Sequence, residues 1–151
     1  MAKARNTYDN DSIVALKGAD RVRKRPAVIF GSDGLDGCQH AMFEIFSNSI
    51  DEAREGHGSR IVLTRYADGS IECEDFGRGI PVDYNEREKR YNWELVFCEM
   101  YAGGKYKEDG GDSYEYSLGL NGLGLCSTQY SSEYMDVEIY RDGMRYTLRF
   151  E

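Results

Sequence analysis

The 151-residue chain is poor in several things, and each shortage removes a class of function. Its four cysteines, Cys38, Cys73, Cys98 and Cys126, lie far apart with no CxxC spacing and no Cys/His ligand pattern, which argues against structural zinc. With no signal peptide ahead of them, they read as reduced thiols of a cytoplasmic protein. No apolar run approaches the roughly 20 residues that a membrane helix requires. Positive charge is short as well: 19 basic against 27 acidic residues leave a net charge of −8. Such a domain repels phosphate backbones, so this stretch by itself is not expected to hold DNA. Its one dense basic cluster, Arg21, Arg23, Lys24 and Arg25, reads as a solvated face or a set of carboxylate partners. Gly-Lys-Ser/Thr occurs nowhere, so a P-loop is excluded. Internal repeats and low-complexity linkers are missing too.

What remains is material for one folded domain. Apolar residues make up 40% of the chain, too many for a disordered segment, and the length suits a single core. Residues 1–12 are polar and read as a flexible arm ahead of a domain over 13–151. Ser12 precedes a helical pattern, Ile13, Val14, Leu16 and Ala19, running to about Val22. Pro26 interrupts it, and Ala27–Gly31 reads as an apolar connector. The strongest helix spans about Asp36 to Arg54, with Met42, Phe43, Phe46, Ile50 and Ala53 forming one buried stripe and Gly56 and Gly58 ending it. A hairpin follows, Arg60–Tyr66 and Ser70–Glu74 about Ala67-Asp68-Gly69. A second helix is expected over Trp93–Tyr101. Residues 103–124 are glycine-rich and aperiodic, the pattern of a functional lid or of disorder. Strands Tyr134–Tyr140 and Met144–Phe150 close the chain around Arg141-Asp142-Gly143. The fold class is α+β, helices on one face of a mostly antiparallel sheet.

Three clusters carry chemistry. Glu44, Asn48 and Glu52 recur every four residues and stack on one helix face. Such a file either positions a water and a hard cation such as Mg²⁺ or is an ordinary solvated face. In Glu74-Asp75-Phe76-Gly77-Arg78-Gly79-Ile80-Pro81 an acidic residue leaves a strand and meets two glycines. A buried Asp75 there could accept a hydrogen bond from an exocyclic amine such as adenine's; a plain Gly-rich turn is the other reading. Gly119-Leu120-Asn121-Gly122-Leu123-Gly124 is a GxxGxG loop entering a short helix, able to aim backbone N–H groups at phosphate oxygens. It fits neither the dinucleotide fingerprint nor the P-loop.

In this order and spacing, the three clusters resemble the N, G1 and G2 boxes of the GHKL ATPases, a superfamily of gyrase, a heat-shock chaperone, histidine kinases and MutL. Further segments resemble the B-type family of DNA gyrase and topoisomerase IV: Tyr8-Asp9, Ser12-Ile13, Leu16 to Pro26, Phe43-Glu44, Asn48 to Ala53, Asp75 to Pro81 and Tyr101 to Tyr106. The resemblance covers nearly the whole chain. It implies a Bergerat fold, with ATP between sheet and helices. Glu44 would be the general base that orients the attacking water, and Asn48 the Mg²⁺ ligand. Asp75 would bind the adenine amine, with Gly79, Ile80 and Pro81 lining the base. Glu52 and Arg78 would pair at the pocket edge, the arginine stacking beside adenine. Gly119, Leu120, Asn121, Gly122, Leu123 and Gly124 would wrap the triphosphate, Lys105 and Tyr114 would lie in or near the lid, and Arg141 would stand at the outer rim. DNA and the A-type subunit would be partners of the full enzyme. ATP would drive dimerisation through residues 1–12, leaving a monomer without nucleotide.

The chain departs from the family pattern at Leu118 and Asn121, where glycine and histidine are common. It departs again at Ile29, where an aromatic is common, and at Lys107–Asp112, which lengthens the lid. It also stops before the family's final strands, which carry a threonine near adenine, and before the transducer lysine that reaches the γ-phosphate. The expectation is therefore part of a longer protein that, alone, binds nucleotide weakly and hydrolyses it slowly or not at all. A different GHKL enzyme, a non-hydrolysing nucleotide sensor and a non-catalytic interaction domain stay as alternatives.

Overall fold

A computed structural model describes residues 10–100 and 124–151. A 3₁₀ turn at Asn10–Ser12 leads to α1 (Asp20–Arg23), α2 (Pro26–Phe30) and the long α3 (Leu35–Arg54). Strands β1 (Ile61–Arg65) and β2 (Ile71–Asp75) follow, then β3 (Tyr84–Asn85), β4 (Arg90–Tyr91) and α4 (Asn92–Cys98). Helix α5 (Gly124–Ser131) precedes β5 (Met135–Arg141) and β6 (Met144–Phe150).

The expected helix over 13–22 is not formed. Gly18 is left-handed (φ 53°), and Ile13 and Val14 are 70% and 76% exposed, so only the turn around the fully buried Val22 is helical. A short helix with no face to bury does not recover its nucleation cost. The expected connector at 27–31 is itself a helix. Pro26 sits in its first turn, where no N–H is needed, and Gly31 (φ 75°) caps it in the left-handed region.

Helix α3 forms as expected, but its buried face is not the apolar stripe. Gly37, Glu44, Ser47, Ser49 and Asp51 are its buried residues, whereas Phe43 is 48% exposed. The inner face packs closely on α5 and β2, where small polar side chains fit and large apolar ones do not. The core proper is Val22, Phe30, Val82, Phe97, Cys126 and Ile139. Phe97 of α4 and Phe150 of β6 meet with ring centroids 5.4 Å apart, so α4 closes over the end of the last strand.

Every strand pair among the described residues is antiparallel, and the bonded ladders are three two-stranded hairpins. In β1–β2 Leu63 faces Cys73, and the turn is locked by Asp68, whose Oδ1 accepts the Ser70 N–H at 2.9 Å. In β5–β6 Arg141 faces Met144 across Asp142 and Gly143, both at positive φ (53° and 73°), the signature of a two-residue type I′ turn. The β3–β4 hairpin was not expected from the sequence. Its strands are too short to alternate, and its connection is held by Asn85 Oδ1, which accepts the N–H groups of Arg87 and Glu88, each at 3.1 Å. The helix expected over 93–101 ends at Cys98. Among the described residues no helix is long and apolar enough to cross a membrane, and all four cysteines are free thiols. Among the described residues only Lys24 of the basic cluster is seen paired with a carboxylate. Lys24 meets Asp20 at 3.2 Å, but Arg21 donates to the Leu16 carbonyl and Arg23 to that of Tyr130, each at 2.7 Å.

Candidate active site

One helix presents the file. Glu44 is 3% exposed, its Oε1 lying 3.1 Å from His40 Nε2 one turn earlier. Its other oxygen faces the first residue of α5. A Cβ built on Gly124 would stand 2.6 Å from Glu44 Oε2 and 3.0 Å from Glu44 Cβ. Only glycine leaves room there, so the last glycine of GxxGxG touches the first carboxylate of the file.

Asn48 is half-buried, and its Nδ2 donates to the Glu44 carbonyl at 2.9 Å. That bond turns Oδ1 away from its own backbone, as a cation ligand would need. Glu52 is clamped by Arg78: Nη2 donates to Oε1 at 2.6 Å, while Nε and the backbone N–H donate to Oε2 at 3.1 and 3.2 Å. The same Nη2 donates to Glu55 Oε2 at 2.7 Å. These contacts hold the Arg78 pKa above the usual guanidinium range, chiefly through the Glu52 hydrogen bond.

Asp75 departs from expectation, since it is exposed rather than buried. It is the last residue of β2, at the open mouth between β2 and α3. Its orientation is nevertheless fixed, because Ser49 Oγ donates to Oδ2 at 2.6 Å and the Gly77 N–H to Oδ1 at 3.0 Å. Each oxygen keeps capacity for one more donor. Beneath it the half-buried Cys73 thiol lies 3.6 Å from Ser49 Oγ, its pKa raised mainly by burial. A Cβ on Gly77 would crowd Glu52 Oε2 at 2.9 Å. Gly79 (φ 78°) passes so near β5 that a Cβ would lie 2.7 Å from the Tyr140 carbonyl oxygen. The Gly79 carbonyl accepts from Arg141 Nη1 at 2.9 Å, and Ile80 is half-buried while Pro81 is exposed.

Glu44, Asn48, Glu52, Asp75, Arg78, Gly79 and Gly124 thus lie along one wall built from α3, the β2 turn and the start of α5. Lys105, Tyr114, Gly119, Leu120, Asn121, Gly122 and Leu123, with most of the lid, lie outside the described residues. Sequence reasoning missed His40, Ser49 and Glu55. His40 stands one turn before Glu44, so helical spacing could have found it; nothing local marks Ser49 or Glu55.

A family model described as "Histidine kinase-, DNA gyrase B-, and HSP90-like ATPase" matches residues 34–151, the whole of this wall. The chain belongs to that ATPase family. The match begins at Gly34, so α3, the β2 turn and α5 all lie inside the ATPase unit. Among named relatives, the B subunit of DNA gyrase from Thermotoga maritima is 44% identical over 144 residues, 95% of this chain and 22% of that protein. The B subunit of DNA topoisomerase 4 from Staphylococcus epidermidis is 41% identical over 97% of this chain and 21% of its own length. The chain therefore spans about a fifth of these curated relatives. Two solved structures share the ATPase fold. The 43K ATPase domain of Thermus thermophilus gyrase B, in complex with an aminocoumarin, superposes with a TM-score of 0.71 at 30% identity, covering 87% of this chain and 31% of that one. The topoisomerase IV ATP-binding domain of Francisella tularensis, in complex with a small-molecule inhibitor, gives 0.69 at 35% identity over 89% and 33% of the two chains.

Proposed function

We propose that this chain is the nucleotide-binding part of the B-type component of a cytoplasmic type II topoisomerase, in which ATP use drives DNA supercoiling or strand passage together with the A-type component. The observation that carries the reading is that one helix, α3, carries residues that reach both the start of α5 and the β2 turn. Glu44 meets the start of α5 and Asn48 bonds the Glu44 carbonyl one turn on, while Ser49 and Glu52 hold Asp75 and Arg78. From Glu44 to Glu52 the helix rises about 12 Å, a span suited to separating a base from a terminal phosphate.

The roles we assign combine this arrangement with the family resemblance. Asp75 accepts the exocyclic amine of adenine with its remaining lone pairs, Gly79, Ile80 and Pro81 line the base, and Arg78, fixed by Glu52 and Glu55, flanks it. Glu44, screened from solvent and braced by His40, orients the attacking water and accepts its proton. The family resemblance assigns Gly119 to Gly124, with Lys105 and Tyr114, to the phosphates. The donor set fits Mg²⁺. No group of three or more His, Cys, Asp or Glu among the described residues could hold a metal. One amide oxygen, from Asn48, suits an ion that keeps its waters and arrives on phosphate oxygens. When bound, Mg²⁺ neutralises charge on the phosphates. Residues 1–12 serve as the arm of an ATP-dependent dimer.

The test is thermal unfolding of this chain with and without a Mg²⁺-bound ATP analogue, alongside Asp75→Asn. Ligand at a hundred times its Kd stabilises the folded state by about 2.7 kcal/mol. The parent midpoint is expected to rise and the Asp75→Asn midpoint to stay. An equal rise in both would remove Asp75 from the base pocket, and no rise in either at millimolar ligand would overturn nucleotide binding by this chain.

A further inference from the structure

Helix α5 touches Glu44 at its first residue, yet the hydrogen-bonded ties that it makes among the described residues cluster at the other end. Thr128 Oγ1 donates to the Ala41 carbonyl of α3 at 3.3 Å. Gln129, 7% exposed, donates through Nε2 to the Phe97 carbonyl in the last turn of α4 at 3.0 Å. The Tyr130 hydroxyl donates to the Cys98 carbonyl, also at the end of α4. A further tie comes from furthest away in sequence: Arg23 Nε of α1 donates to the Tyr130 carbonyl at 2.7 Å, with the fully buried Val22 beside it. A guanidinium on a carbonyl of the last turn satisfies an orphan acceptor and opposes the negative end of the helix dipole.

Of these ties only that of Thr128 spans the α3–α5 interface, which is lined by small, mostly polar residues. Ser47, Ser127, Thr128 and Gly124 are all buried there or nearby, and Ser127 Oγ has no partner among the described residues. Interdigitated large side chains would resist sliding along the helix axis; such a surface resists it weakly. Among the described residues the hydrogen bonds that hold α5 along its axis are thus its C-terminal ties, and the gap between Gly124 and Glu44 depends on them.

We infer that Arg23, whose contact at Tyr130 lies about 9 Å along α5 from Gly124, is a positioning residue for the Glu44 end of the site, acting as an axial stop on α5 through the Tyr130 carbonyl. The other ties are neutral polar contacts made by α5's own side chains, and Arg23 supplies the charged one. Its loss lets α5 shift along α3 and opens the Glu44–Gly124 contact. Asp75, Ser49 and Arg78 keep their places, because they are held by one another, Gly77, Glu52 and Glu55. The inference rests on the nucleotide reading only for its kinetic consequence. The structural half stands without ligand.

The experiment compares Arg23→Gln, Arg23→Lys and, as control, Arg21→Gln, whose parent side chain donates to the Leu16 carbonyl within its own segment. In the ligand-free chain, backbone amide NMR resonances of Gly124 and Leu125 are expected to shift in Arg23→Gln, to recover in large part in Arg23→Lys and to stay put in Arg21→Gln. Resonances of Tyr130 and Ser131 that move while Gly124 and Leu125 do not would overturn the inference. So would equal shifts in the Arg21→Gln control. A second readout is affinity: Arg23→Gln is expected to weaken a γ-phosphate-bearing analogue about tenfold, with ADP nearly unaffected. Equal weakening of both would reduce Arg23 to a general structural role. If the parent binds neither nucleotide, the proposed function fails, and the NMR comparison still decides whether the stop exists.

Discussion

At Gly124 a single methyl group decides whether Glu44 keeps its place. An alanine Cβ would lie 2.6 Å from Glu44 Oε2, inside any real contact, and neither partner has room to retreat, since Glu44 is 3% exposed and Gly124 is itself buried. Overpacking of this kind costs about 1–3 kcal/mol. Gly124→Ala is therefore expected to lower the denaturant midpoint, and adding Glu44→Ala to restore part of the loss, because the carboxylate is the atom group struck. A double-mutant cycle measures this; strictly additive losses would mean that the two residues do not meet. Asp75 shows a different residue-level device. It is exposed, and its orientation comes from the Ser49 hydroxyl and the Gly77 N–H instead of from burial.

At the level of elements, the N-terminal part is held by two short helices whose ends matter more than their middles. Helix α2 has five residues, starts on Pro26 and stops on left-handed Gly31, whose N–H donates to the Ala27 carbonyl at 2.8 Å. Gly31→Ala meets no steric neighbour, so its expected cost is that of the backbone conformation alone, about 1 kcal/mol, read from chemical unfolding. A larger loss, or none, would show that the cap is not what ends this helix. Helix α5 is the opposite case: its short sequence buries five residues and ties α1, α3 and α4 together.

For the whole molecule, the buried centre sets an alkaline limit. Burial pushes the Cys126 thiol up to about 12 from an ordinary value of 9.0, and the Tyr130 phenol up to about 12 from 10.0. In the unfolded chain both groups ionise at their ordinary values, while the folded chain keeps their protons. Their contribution is thus fully present below about pH 9 and is lost as pH rises from there toward 12. Chemical unfolding at mildly, moderately and strongly alkaline pH, from about 8 to about 10.5, is expected to show stability falling with pH, and Cys126→Ser to flatten that fall. Identical slopes for parent and variant would place the alkaline sensitivity elsewhere.

Helix α3, the hairpins around Gly69 and Gly143, and the order of the three clusters were legible in the sequence because each rests on local signals: a 3.6-residue period, turn chemistry at fixed offsets, and glycines where backbone must pass close. The same signals put Glu44, Asn48 and Glu52 on one face. Local signals misled where a partner from elsewhere decided the outcome. Pro26 opens a helix instead of ending one, and Ile13 and Val14 found nothing to pack on. On α3 the closeness of α5 and β2 buried Glu44, Ser47 and Ser49 in place of the apolar stripe. Ser49 under Asp75, Glu55 beside Arg78 and Arg23 on the Tyr130 carbonyl join positions 26, 23 and 107 residues apart. Such contacts have no periodicity to betray them, because what brings the two residues together is the packing of whole elements.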